Sequence, residues 1–163
     1  MAKLVTIGEL MQIDIGRITK STECDVNLVG TFHEIKKTSL LDRFRSLFSG
    51  KSMVNAYWVV FKFIVTSTSG KPYTVLVKTN PDFDLTNWEN NTCQIYCSCP
   101  DFKFRSAYTL NQRGALFKNN RISIDLGPAL SDKPKREPSL LCKHSYAALQ
   151  WLVRNYSNIM KTI

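Results

Sequence analysis

Histidine is scarce in this chain: His33 and His144 are the only two among 163 residues. General acid–base chemistry at neutral pH therefore has few places to start. No paired carboxylates and no glycine-rich phosphate cradle stand out either, so an enzyme is not expected. Long hydrophobic runs are also missing, and none approaches the roughly 18–20 residues that span a bilayer. In the opening stretch MAKLVTIGELMQIDIGR, Glu9, Gln12 and Asp14 interrupt what would be a signal peptide's apolar core. The expectation is a cytoplasm-like compartment with reduced thiols. Five cysteines agree, because a disulfide framework normally uses an even number.

Acidic residues are few as well, 13 against 22 Lys plus Arg, which leaves a formal charge of +9 and a pI near 9.4. Such an excess favours polyanions, either nucleic acid or an acidic protein surface. The bases gather in HEIKK, DRFRSLFSGK, DFKFR, QRGALFKNNR and DKPKREP. All five read as loop or short helix, which puts the charge on protruding parts.

What is present is enough for one hydrophobic core: 44% of the residues are hydrophobic, in a chain too short for two ordinary domains. Residues 1–20 fit a short helix or an edge strand. DVNLVGTFHEIKK alternates as a strand does, NAYWVVFKFIVTS is aromatic and β-branched, and PYTVLVKT returns after the turn TSGK as the second arm of a hairpin. TCQIYCSC is a further short strand. Leu40, Leu41, Phe44, Leu47 and Phe48 recur at helical spacing. That basic segment, 39–48, would pack on its own sheet, tip a long hairpin, lie on a membrane or dock in a partner's groove. A helical turn or two is expected in DFKFRSAYTLNQRGALF, with Asp101 as its N-cap. A proline-containing loop follows. The last segment is a helix with an apolar stripe of Ala147, Ala148, Trp151, Leu152 and Ile159. The fold class is α+β: an antiparallel sheet followed by a metal-pinned helix.

Chemistry concentrates in two spaced pairs, Cys97-Ser98-Cys99 and Cys142-Lys143-His144. Zinc takes four tetrahedral ligands from thiolate and imidazole. Residues two apart leave one face of a strand, which suits Cys97 and Cys99. On a helix they diverge by about 200°. Cys142 and His144 can therefore share an ion only if Cys142 precedes the helix and His144 lies in its first turn. Four protein ligands leave no position for water, so the Zn2+ would be structural. Cys93 shares a face with Cys97 on a regular strand and is a substitute ligand candidate. Cys24 reads as a buried or semi-exposed thiol without chemistry, and His33 as a strand surface residue.

These residues, within YCSCPDF and LLCKHSYAALQWL, resemble the SWIM zinc finger pattern Cys-x-Cys, spacer, Cys-x-His over roughly residues 93–155. The spacer 100–141 is longer than in most members. A closer resemblance is to small SWIM-like proteins of tailed bacteriophages, in which a Cys-x-Cys segment runs through an aromatic and basic stretch and a basic loop into Cys-Lys-His and a helix. That resemblance does not account for the N-terminal half; length and composition lead to the expectation of one domain over 1–163. Its first part, 1–92, would be mainly β, with a helical excursion near 39–50. The rest, 93–163, would be a ββα-like zinc module with a long inserted loop.

The resemblance to the phage proteins implies a virion component, assembled in the host cytoplasm. The first functional expectation is thus a head–tail connector, neck or tail subunit in a homo-oligomeric ring, touching other virion proteins, with DNA as a further candidate contact and without membrane. The second is a nucleic-acid-binding module acting in the cell. Its candidate residues are Lys103, Arg105, Arg113, Lys118, Arg121, Lys133, Lys135 and Arg136, with Phe102, Phe104 and Tyr108 interleaved to stack bases. The competing role for those aromatics is core packing beside the metal.

Overall fold

A computed structural model describes residues 5–12, 15–35, 57–80, 84, 86–118 and 139–162. The expected helix at 39–48, the proline-containing loop and the basic residues Arg121, Lys133, Lys135 and Arg136 lie outside the described residues. The elements are α1 (Ile7–Met11), α2 (Ile15–Thr22), β1 (Asp25–Ile35), β2 (Tyr57–Thr66), β3 (Pro72–Thr79), a 3-10 turn (Trp88–Asn90), β4 (Cys93–Cys97), a π-helical segment (Phe102–Ser106), α3 (Ala107–Gln112) and α4 (Lys143–Met160). This is the expected α+β arrangement. The four strands form one antiparallel sheet in sequence order.

Strand alternation sets which side chains meet the helices. Val59, Phe61, Phe63 and Val65 of β2, Val75 and Val77 of β3, and Cys93, Ile95 and Cys97 of β4 are buried together. α4 lies on this face. Phe61 meets Tyr156 edge-on at 5.9 Å, and Phe63 meets Trp151 at 5.7 Å. Edge-to-face pairs add about 0.5–1.5 kcal/mol each beyond area burial. Of the expected stripe, Ala147, Ala148, Leu152 and Ile159 are buried and Trp151 is half-buried; Tyr146, Leu149 and Tyr156 widen it.

The other face is a smaller apolar layer of Val60, Leu76 and Phe117, with Phe32 and Tyr96 against it. Phe32 reaches that layer because β1 bulges between Leu28 and Gly30. The extra residue reverses the alternation, so Val26 and Leu28 pack on the helix side while Phe32 faces away. Beyond β4, residues around Leu116 run parallel to it. The Ile95 N–H donates to the Ala115 carbonyl at 2.9 Å, and the Phe117 N–H to the Ile95 carbonyl at 3.0 Å. Gly114, at φ 70°, makes the turn that brings them there.

The ambiguous N-terminal stretch is helical. The Thr6 hydroxyl accepts from the Glu9 N–H at 3.2 Å, and the Glu9 carboxylate accepts from the Thr6 N–H at 2.9 Å. This reciprocal cap closes α1, whose Ile7 and Leu10 are fully buried. No helix among the described residues is long and apolar enough to cross a membrane.

Candidate metal centre

β4 delivers the first ligand. Cys97 follows Cys93 and Ile95 on the inward face of the strand, at its last residue. Cys99 arrives differently from the expectation. The strand has ended, and Cys99 serves as the cap of the helix that begins at Pro100, its sulfur accepting the Phe102 N–H at 3.3 Å. Proline suits the first helical position because the N–H it lacks would be unpaired there. Asp101 is therefore not the cap. It already has helical dihedrals, makes no capping bond, and instead pairs with Arg105 at 3.3 Å, one turn on.

The second pair is built as its spacing requires. Cys142 is extended, at φ −83° and ψ 168°, and caps α4. Its sulfur accepts the Ser145 N–H at 3.4 Å, while the Ser145 hydroxyl accepts the Cys142 N–H at 3.1 Å. His144 lies in the first turn. Two helix N-termini thus converge on the end of one strand, and each presents a thiol in place of the usual capping oxygen. The positive end of a helix favours thiolate.

Cys97, Cys99, Cys142 and His144 are all buried, and their ligand atoms lie within 4.8 Å of one another. Sulfurs on a tetrahedron with arms of about 2.3 Å stand about 3.8 Å apart, so the cluster needs little contraction to close on zinc. Two further observations fit a cation. Among the described residues neither nitrogen of the buried His144 ring has a hydrogen-bond partner outside the cluster, a costly state for an imidazole that no metal engages. The three thiols also crowd one another. Burial raises Cys97 well above the ordinary thiol range, reinforced by hydrogen bonds to Cys142 and Cys99. Cys99 is raised chiefly by its bond to Cys142. At Cys142 burial raises the pKa too, but hydrogen bonds from Cys97, Cys99, His144 and Ser145 outweigh it and hold the thiol well below its usual range. A divalent ion would take the place of the protons that these buried thiols share. Three thiolates and one imidazole are a structural zinc set, with no fourth position left to a reacting water.

The other thiols stand apart. Cys93 is buried on the same strand face but outside the cluster, so it does not substitute as a ligand. Cys24 is half-buried, with its thiol on the Lys20 carbonyl at 3.7 Å. His33 is an exposed residue of β1.

Of the residues expected at a nucleic-acid surface, Lys103 and Arg105 are half-buried on the π-helical segment, and Arg113 and Lys118 are exposed beyond α3. The interleaved aromatics divide. Phe102 is fully buried, edge-on to Tyr96 at 5.9 Å, whereas Phe104 is 66% exposed. Sequence reasoning missed Ser145 and Tyr73. Cysteine is not among the usual capping residues, so Cys-x-x-Ser does not read as a capping box. Tyr73, whose ring lies 4.7 Å from that of His144, comes from a strand far upstream.

A SWIM zinc finger family model matches residues 73–108. The match takes in β3, β4, Cys97 and Cys99 and ends well before Cys142 and His144, which the fold brings to the same point. No curated protein and no solved structure gave a significant match.

Proposed function

We propose that this chain is a non-catalytic binding module, stapled by structural zinc, that presents a basic and aromatic surface to nucleic acid. The observation that carries this reading is Phe104. A large apolar ring, 66% exposed, stands between Lys103 and Arg105 on the helix that Cys99 caps. The same helix leads to the exposed Arg113 and Lys118. A ring held on a rigid element among cations stacks a base while its neighbours neutralise phosphate. The formal charge of +9 adds a sequence-independent attraction. Arg105 contributes less than its charge suggests, because Asp101 already engages it. With His144 committed to the metal, the site offers no acid–base apparatus.

The test is fluorescence anisotropy with a single-stranded oligonucleotide at low salt. Binding should weaken steeply as salt rises from about 50 to 200 mM. Phe104→Ala should cost about 1–3 kcal/mol of affinity. Absence of binding at about 50 mM salt would remove the reading.

A second reading places the module in a phage particle, as a connector, neck or tail subunit arranged in a ring around the DNA path. It is supported by the motif context of Cys97–Asp101 and Cys142–His144, with a long spacer between them, and the basic surface suits it equally. Mass spectrometry of purified particles should then find the chain in fixed multiple copies. Its absence from them would exclude this reading while leaving the first intact.

A further inference from the structure

A histidine that binds a metal through one ring nitrogen almost always donates from the other to a carboxylate or carbonyl, and that bond fixes the plane of the ring. Among the described residues no carboxylate or carbonyl accepts from His144: both nitrogens are buried and unpartnered, apart from the side-chain interaction with the Cys142 thiol inside the cluster. Its orientation must come from packing. The Tyr73 ring lies against it, with centroids 4.7 Å apart and planes tilted by 46°.

Tyr73 is itself held in register with the other ligands. Its neighbour Thr74 exchanges two hydrogen bonds with Ser98, the residue between Cys97 and Cys99: the Thr74 N–H donates to the Ser98 hydroxyl at 2.9 Å, and the Ser98 N–H donates to the Thr74 carbonyl at 2.9 Å. Any shift of Tyr73 therefore moves with the segment that carries the first two sulfurs, from the end of β4 to the cap at Cys99. A bound cation draws electron density from the imidazole, and an aromatic ring in contact favours that polarised state. The Lys71 ammonium also lies over the Tyr73 ring, 5.7 Å from its centroid.

We propose that Tyr73 is the positioning residue of the metal centre, holding the His144 imidazole in its ligating orientation where other sites use a hydrogen-bonded acceptor. The hydroxyl is not needed for this; the ring is. The inference stands on the zinc site alone and is independent of what the module binds.

Three variants of the full chain test it: Tyr73→Leu, Tyr73→Phe and, as a core control, Phe63→Leu, which loses a buried ring against Trp151. Zinc affinity is read by competition with a chromophoric chelator, and site geometry by the visible absorption of the cobalt-substituted protein. Tyr73→Leu should weaken zinc binding by about 10–100-fold, the range seen when an orienting partner is lost, and should shift the cobalt bands. Tyr73→Phe should match the parent in both. Phe63→Leu should lower the melting temperature while leaving the cobalt bands in place. The proposal is overturned if Tyr73→Leu leaves the cobalt spectrum unchanged. It is equally overturned if Tyr73→Leu loses no more affinity than Phe63→Leu, or if Tyr73→Phe loses as much as Tyr73→Leu.

Discussion

The sulfurs of Cys99 and Cys142 each end a helix and face the ion, so a substitution there removes two things at once. Serine can keep the cap, since its oxygen accepts the same N–H, but it is a poor substitute for thiolate at zinc. Cys97→Ser or Cys142→Ser should therefore abolish bound zinc in dialysed protein. Cys93→Ala should retain one zinc per chain and cost about 1 kcal/mol of stability, as expected for trimming a buried side chain. Metal analysis and denaturant melts check both outcomes. Burial pushes the Cys93 thiol up to about 12 from 9.0, so folding holds its proton. That contribution is full below pH 9 and is lost as pH rises toward 12. Cys93→Ala should accordingly flatten the alkaline loss of stability. The four ligands were legible in the sequence because paired spacing on either side of a strand end and a helix start leaves few other uses. Tyr73 and Ser145 were not legible: a ring on a distant strand and a serine after an atypical cap carry no local pattern.

Among the elements, the two whose N-termini meet at the ion depend on it most. Without the metal, Cys99 and Cys142 still cap, but only apolar packing holds the helix at 100–112 and α4 to the end of β4. Zinc contributes on the order of 10–16 kcal/mol in isolated finger peptides, against a net domain stability of about 5–15 kcal/mol. Chelation should therefore melt helical signal at a temperature well below that of the metal-loaded protein, and restored zinc should recover it; circular dichroism with and without chelator reads this. The hairpin of β2 and β3 and the long α4 were plain in the sequence, since aromatic and β-branched runs and a wide apolar stripe leave little choice. α1 stayed ambiguous because five residues show little periodicity, although Thr-x-x-Glu at Thr6–Glu9 is the signature that would have settled it. The bulge in β1 left no mark, as Leu28 and Phe32 read as one face until an unpaired residue separates them. Asp101 misled because a better-placed sulfur precedes it.

At the scale of the whole molecule, one hydrophobic cluster takes in α1, the sheet, Cys97, Cys99 and α4, from Val5 to Ile159. The family match covers about a fifth of the chain, and the long spacer puts the second pair of ligands beyond it. Within that spacer the chain is anchored on either side of residues 119–138: Phe117 is bonded to Ile95, and the Ser139 N–H donates to the Arg105 carbonyl at 3.4 Å. A protease site engineered between residues 119 and 138 should thus yield two polypeptides that migrate together on a sizing column and separate once the zinc is stripped and mild denaturant added. In that severed form, each piece would own half of the coordination sphere. The ion would then serve as a removable pin between two peptides, able to reassemble them from solution without any covalent link.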